Sequence, residues 1–353
     1  MNKEFLTALM GEICPTGHEQ NARDVWRREA ATITDEVRGD FHGNSIAVLN
    51  PGRDLRIMLA GHIDEIGLQI HQIDKDGFLW FRGLGGWDMQ VFPGQRVRIL
   101  AKNGTILGVV GRPAIHLQEE EDRKKVATFD SLWIDIGAKD KEDAEKLVHV
   151  GDCAVLDYGG PEDLLHGLMV SRGFDDRIGA FIVLEAMRRV KALSGLTSSL
   201  FAVATVQEEI GTLGAITSCY GIDPQVGIAV DVGFATDTPG LEKAQKRCNK
   251  IEMGKGPLIA TGPNINPKLF DLITSVAAEN NIPFQVVAWE KQTGTDARSI
   301  QINGAGVATG LISVPNRYMH SPGEIVHQGD VEDVIELFAR VVLAIDNAEQ
   351  FVL

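Results

Sequence analysis

Ser199-Leu200-Phe201-Ala202-Val203-Ala204-Thr205-Val206-Gln207-Glu208-Glu209-Ile210-Gly211 reads as one buried strand that stops at two carboxylates and a glycine. Residues 199–206 are almost continuously apolar, as a strand covered on both faces requires. Before it, residues 178–193 carry apolar positions at helical spacing, and after it residues 226–232 form a second buried strand. The alternation continues as a helix over 267–280, a strand over 284–288, a short helix over 297–301, a strand over 307–314 and a closing helix over 331–347. Alternating strands and helices favour a layered α/β/α arrangement, a sheet with helices on both faces.

Upstream, Phe5, Leu6, Met10 and Ile13 mark a first helix that Pro15-Thr16-Gly17 breaks, and a second helix is expected from Gly17 through Val25 to Ala30. Strands follow at 45–49 and 56–60. From about Leu68 to Asp157 the chain changes character, with frequent glycine and short alternating runs. Lys102-Asn103-Gly104 sits between two of these runs and reads as a hairpin turn. A compact β-domain over 68–159 is therefore expected as an insertion, with residues 1–67 and 160–353 forming the α/β domain. The one helix expected inside it lies near 141–148.

The 353 residues suffice for two domains. A formal net charge of -15 argues against nucleic acid or an anionic membrane as the main partner. No segment is long and apolar enough to span a bilayer, and the N-terminus lacks the apolar core of a signal peptide. Cys14, Cys153, Cys219 and Cys248 are scattered without a CxxC pair, which fits buried free thiols in a reducing cytoplasm.

The informative feature is where metal-competent side chains fall: five segments place them at or just past a strand end, where open α/β sheets bind ligands. His62 and Asp64 follow the strand RIMLA. Residues two apart project to the same side, so Asp64 can accept the second N–H of His62. Alone, such a pair is more often a satisfied surface contact. Asp175 and Asp176 stand at the mouth of a helix, where a carboxylate can bridge two cations or simply cap the helix beside Arg177. Glu208 and Glu209 are adjacent carboxylates that repel one another unless cations are present. If one binds metal, the other stays free as a general base. Asp231 interrupts β-branched apolar residues and needs a partner there. His320, in Tyr318-Met319-His320-Ser321-Pro322, follows the last strand. Imidazole and carboxylate donors of this kind suit zinc, cobalt or manganese, and two such ions about 3.5–4 Å apart can activate water against a carbonyl.

The motifs GHIDEIG, LWIDIGA, SRGFDDRIG, VQEEIGTLGA, VDVGFATDTPG, TGTDA and ISVPNRYMHSP occur in this order over nearly the whole chain. In this the sequence resembles metallopeptidase family forty-two, the glutamyl and deblocking aminopeptidases and the tetrahedral TET particles. The resemblance implies a dinuclear aminopeptidase acting on peptides. His62 and Asp231 would bind one metal, Glu209 and His320 the other, with Asp175 bridging. Glu208 would be the general base and acid, and Asp64 the partner of His62. It also implies that the inserted β-barrel domain serves subunit contacts, in a homo-oligomer between a dimer and a tetrahedral dodecamer. Leu213 and Gly233 depart from the family pattern, which often has Arg and Thr there. An endoglucanase, a label some family members have carried, would need two carboxylates across a sugar bond but has no task for His62 or His320. A metal-binding assembly protein without catalysis is the third alternative.

Overall fold

The computed structural model describes residues 1–353. Its centre is an eight-stranded sheet in the order Val37–Gly39, Ser45–Leu49, Ser199–Thr205, Arg56–His62, Val226–Phe234, Ala308–Asn316, Leu258–Thr261, Gln285–Ala288. The four middle strands run parallel. All seven residues of Ser199–Thr205 are buried, as its almost continuously apolar run predicts.

Side-chain alternation divides each strand between two cores. Ile57 and Leu59 pack with five helices on one face: Lys3–Gly11, Gln20–Ala30, Phe174–Leu193, Pro267–Glu279 and Gln328–Ala344. Met58 and Ala60 face the other side, where only the short helices Leu213–Ile222 and Asp296–Gln301 pack. By the same parity His62 and Asp231 point to this thinly covered face. The layered α/β/α reading holds, with unequal layers.

The long helix Phe174–Leu193 lies against the Arg56–His62 strand at a point where only glycine fits. A Cβ on Gly61 would stand 2.4 Å from the carbonyl carbon of Gly179 and 2.7 Å from the amide nitrogen of Ala180. Both contacts are backbone and cannot swing aside. Gly61→Ala is expected to lower stability by about 3 kcal/mol, the upper end of overpacking costs. An unchanged urea midpoint would show that helix and strand separate freely.

The Gly-rich middle segment forms a closed six-stranded barrel in the order Gly67–Ile73, Leu79–Leu84, Trp133–Asp135, Gly104–Gly111, Arg96–Ala101, Cys153–Leu156. Alternate residues such as Leu68, Ile70, Phe81, Val97, Ile99 and Ile134 fill it. Closure removes the sheet edges that a small β-domain would otherwise expose. Ala101 pairs with Gly104, so the hairpin turn is the two residues Lys102-Asn103.

Several expected boundaries move. The second helix begins at Gln20, the helix within the barrel segment ends at Glu145, and the closing helix spans Gln328–Ala344. Elements absent from the sequence reading also appear: the helices Leu213–Ile222 and Glu242–Cys248, the strand Leu258–Thr261, and a three-stranded sheet of Glu162–Asp163, Leu168–Ser171 and Glu324–His327. No helix is long and apolar enough to cross a membrane.

Candidate metal centre

His62 ends its strand, Asp231 lies within Val226–Phe234, and Glu208 and Glu209 follow Thr205 by three and four residues. Asp175 is the second residue of the Phe174–Leu193 helix, yet its φ of -78° and ψ of 108° are extended. Its carboxyl is thereby turned out of the helical path. His320 comes from the loop after Ala308–Asn316. Strands and loops from five parts of the chain deliver these groups to the wall of one cavity.

Asp175 is the hub. Its Oδ1 lies 3.2 Å from His62 Nε2 and its Oδ2 lies 3.1 Å from His320 Nε2. Glu209 Oε1 is 3.6 Å from His320 Nε2, and Glu208 Oε2 is 3.9 Å from His62 Nε2. Two donor sets have their ligand atoms within 4.8 Å of one another: His62 with Asp175 and Glu209, and His62 with Asp176 and Asp231. Asp176 is a weaker donor than its neighbour, because its oxygens already accept from the amides of His62, at 3.1 Å, and Gly179, at 3.1 Å. Asp175 spends neither oxygen on backbone.

The electrostatics call for positive charge. Burial and neighbouring carboxylates push Glu209 and Asp231 well above the usual carboxylate range. Glu208 is raised to about 9, first by burial and then by Asp231, Asp296 and Asp64 against the pull of His62. Asp175 goes the other way: the two imidazoles outweigh its burial and hold it well below the ordinary value. Glu209 Oε1 is buried without a hydrogen-bond partner. An orphaned buried carboxylate oxygen beside two imidazoles fits a cation-binding donor set.

Asp64 sits differently from expectation. His62 Nδ1 is nearer the backbone carbonyl of Asp64, at 3.0 Å, than its carboxylate, at 3.6 Å. The Asp64 carboxylate instead accepts from the amides of Glu208 and Glu209, at 3.1 and 3.2 Å. Fully buried, it fixes the turn that presents both glutamates.

The sequence alone assigns no role to three further carboxyls. Glu324 accepts from the amide of Asp175 at 2.8 Å and that of His320 at 3.1 Å, tying two imidazole-facing segments together. Glu19 accepts from the amides of Gly17 at 2.6 Å and Gln207 at 3.3 Å, and burial beside Asp64 raises it to about 7. Asp296, of the TGTDA motif, accepts from Thr205 and is lifted to about 6 by burial. Gln207 and His320 both hold left-handed φ, 55° and 58°, a costly conformation outside glycine that clusters at functional sites. Arg317 is held by Asp237 through two hydrogen bonds of 2.8 and 2.7 Å.

The barrel reaches this cavity as well. Gly86, in the loop after Leu79–Leu84, lies on its wall beside His320. A Cβ on Gly85 would stand 3.1 Å from Glu209 Oε2.

The chain is similar to known aminopeptidases. A lysyl aminopeptidase of Pyrococcus furiosus is 38% identical over 307 residues, 86% of this chain and 86% of that one. A TET aminopeptidase from a marine-sediment archaeon of the Thaumarchaeota superposes with a TM-score of 0.94 at 32% identity, covering 99% of this chain and 98% of that one. The TET1 peptidase of Pyrococcus horikoshii, described as assembling into a tetrahedron or a large octahedral shell, superposes with a TM-score of 0.85 at 30% identity, covering 96% and 98%. Residues 43–337 match the family described as M42 glutamyl aminopeptidase. They contain every imidazole and carboxylate of the cluster, so this chain belongs to the M42 glutamyl aminopeptidase family.

Proposed function

We propose that this protein releases N-terminal residues from peptides by hydrolysis at a pair of divalent cations. The carrying observation is Asp175, whose two oxygens face two different imidazoles at 3.2 and 3.1 Å. His62 and Asp231 would hold one cation, Glu209 and His320 the other, and Asp175 would share its oxygens between them. Two imidazoles and three carboxylates suit zinc or cobalt, with manganese also compatible. When bound, such ions supply Lewis-acid polarisation of a carbonyl and acidify water.

The chain's own groups do the rest. Glu208 stands beside the hub without serving as a ligand in this assignment. Its Oε2 takes a proton from the attacking water as the new C–O bond forms. It returns that proton to the peptide nitrogen as the C–N bond breaks, so acid and amine leave in balance. Burial and neighbouring carboxylates alone raise Glu208 to about 9; cations bound beside it would draw it back to the carboxylate that the first step requires. Asp64 holds the Glu208 amide, so the carboxylate does not drift. The likeness to shell-forming TET peptidases further supports a homo-oligomer of this chain, working in the cytoplasm on peptides.

Removing the metal tests this reading. Dialysis against a chelator should abolish hydrolysis of aminoacyl anilides, and zinc, cobalt or manganese should restore it. A cation present at about a thousand times its dissociation constant contributes about 4 kcal/mol to stability, so the metal-free protein should melt at a lower temperature. Full activity in the chelated protein would exclude the proposal.

A further inference from the structure

The cavity that holds the cluster extends well past it and encloses about 510 Å³. Its floor is the part of the main sheet that the two short helices leave bare. Strand register fixes which side chains appear there. Asp231 pairs with Ser313, and Ser313 pairs with Leu258. Ala260 pairs with Val287 on the outermost strand. Paired residues share a face, and so do residues two apart along a strand. The path outward from Asp231 therefore crosses Ser313 and Leu311, then Leu258 and Ala260, then Val287, all lining the cavity. Trp289 and Ile251 close its far end.

What this wall lacks is as informative. Outside the cluster of His62, Asp175, Glu208, Glu209, Asp231 and His320, the one ionised side chain on it is Arg298, which is exposed. No free carboxylate lies on the floor to receive an ammonium, and no buried cation to receive a carboxylate. A charged group pushed between Leu258, Leu311 and Val287 would lose its water without a partner. Gly233 keeps the floor open on the Asp231 side: a Cβ there would stand 2.5 Å from Leu258 Cδ1 and 3.2 Å from Ser313 Cβ. Leu258 occupies the space that a larger residue at 233 would take.

We propose that this apolar extension receives the side chain of the substrate's N-terminal residue and selects leucine and methionine over lysine and glutamate. The assignment rests on the aminopeptidase reading above. It separates this chain from what the names of a lysyl relative and of the family describe, because each of those preferences needs an opposite charge inside the pocket.

The test is kcat/KM of the full chain, loaded with cobalt or zinc, on leucyl, methionyl, alanyl, lysyl and glutamyl p-nitroanilides. Leucyl or methionyl should exceed lysyl and glutamyl by about 100-fold, and alanyl should trail leucyl by at least about tenfold, the scale set by lost apolar contact. A lysyl or glutamyl substrate turned over as well as leucyl overturns the pocket assignment and leaves the aminopeptidase standing. Hydrolysis of no anilide with either metal overturns both. Leu258→Asp, which puts a carboxylate on the floor, should raise the lysyl-to-leucyl ratio at least tenfold. Val287→Asp carries the same charge on the outermost strand, where a change is tolerated more easily. An unchanged ratio in either folded variant overturns the assignment, and the wild-type panel decides it should neither variant fold.

Discussion

Glu208→Gln should leave metal content unchanged while kcat falls by about 10²–10⁴-fold, the span typical of a lost general base. The substitution keeps side-chain length and volume. The Glu208 amide still donates to Asp64, so the turn that aims the side chain stays in place. What glutamine cannot do is take a proton from water and hand it to a departing amine. Because the ligand assignment leaves Glu208 free, metal per chain should match the parent in elemental analysis. Glu209→Gln provides the contrast. It replaces the buried, unpartnered oxygen that faces His320 at 3.6 Å, so metal content should fall together with activity. A Glu208→Gln protein with parental kcat removes Glu208 from the chemistry. A Glu209→Gln protein with full metal and full activity removes Glu209 from the ligand set.

The two glutamates were conspicuous in the sequence because they stand one residue past the largely apolar run Leu200–Val206, with no turn chemistry to explain them. Asp231 was conspicuous for the same reason, a carboxylate among valines. Local pattern finds such residues because burying a charge contradicts its surroundings. It does not find Glu324, whose work is to accept two amides that meet only in the folded chain. Asp296 was visible as part of a motif, but its hydrogen bond to Thr205 joins segments 91 residues apart. The helix Leu213–Ile222 was missed because Gly214, Thr217, Ser218 and Gly221 are poor helix formers. It survives by packing Ala215, Cys219 and Ile222 against the sheet. The small sheet pairing Leu168–Ser171 with Glu324–His327 was invisible because four-residue strands far apart in the chain carry no periodic signal. The barrel runs were readable from alternation, but the closing pair of Gly67–Ile73 with Cys153–Leu156 is a property of the whole domain.

Arg177 shows the same limit and carries the second large prediction. In the motif FDDRIG it reads as a partner for the adjacent aspartates. In the folded chain it turns away from them and is fully buried. One terminal nitrogen donates to the carbonyls of Leu9, Met10 and Glu12, at 3.3, 3.1 and 2.8 Å, at the end of the first helix. The other donates to Glu65 at 3.1 Å, and Glu65 also accepts from Arg172 at 2.9 Å. Glu65 lies three residues past His62, and Arg177 two past Asp175. The guanidinium therefore ties the N-terminal helix to the roots of two segments of the metal centre. Arg177→Met keeps an unbranched apolar side chain but strands a buried carboxylate and several carbonyls. Breaking a buried ion pair from one side costs about 3–5 kcal/mol, and that loss should appear in urea unfolding of the chelated protein. Arg177→Lys should recover only part of it, because an ammonium offers a point charge in place of a planar fork that reaches both sides. Stability within about 1 kcal/mol of the parent for Arg177→Met, below the range for a broken buried pair, would mean that Arg172 alone neutralises Glu65 and that the first helix needs no cap from the core.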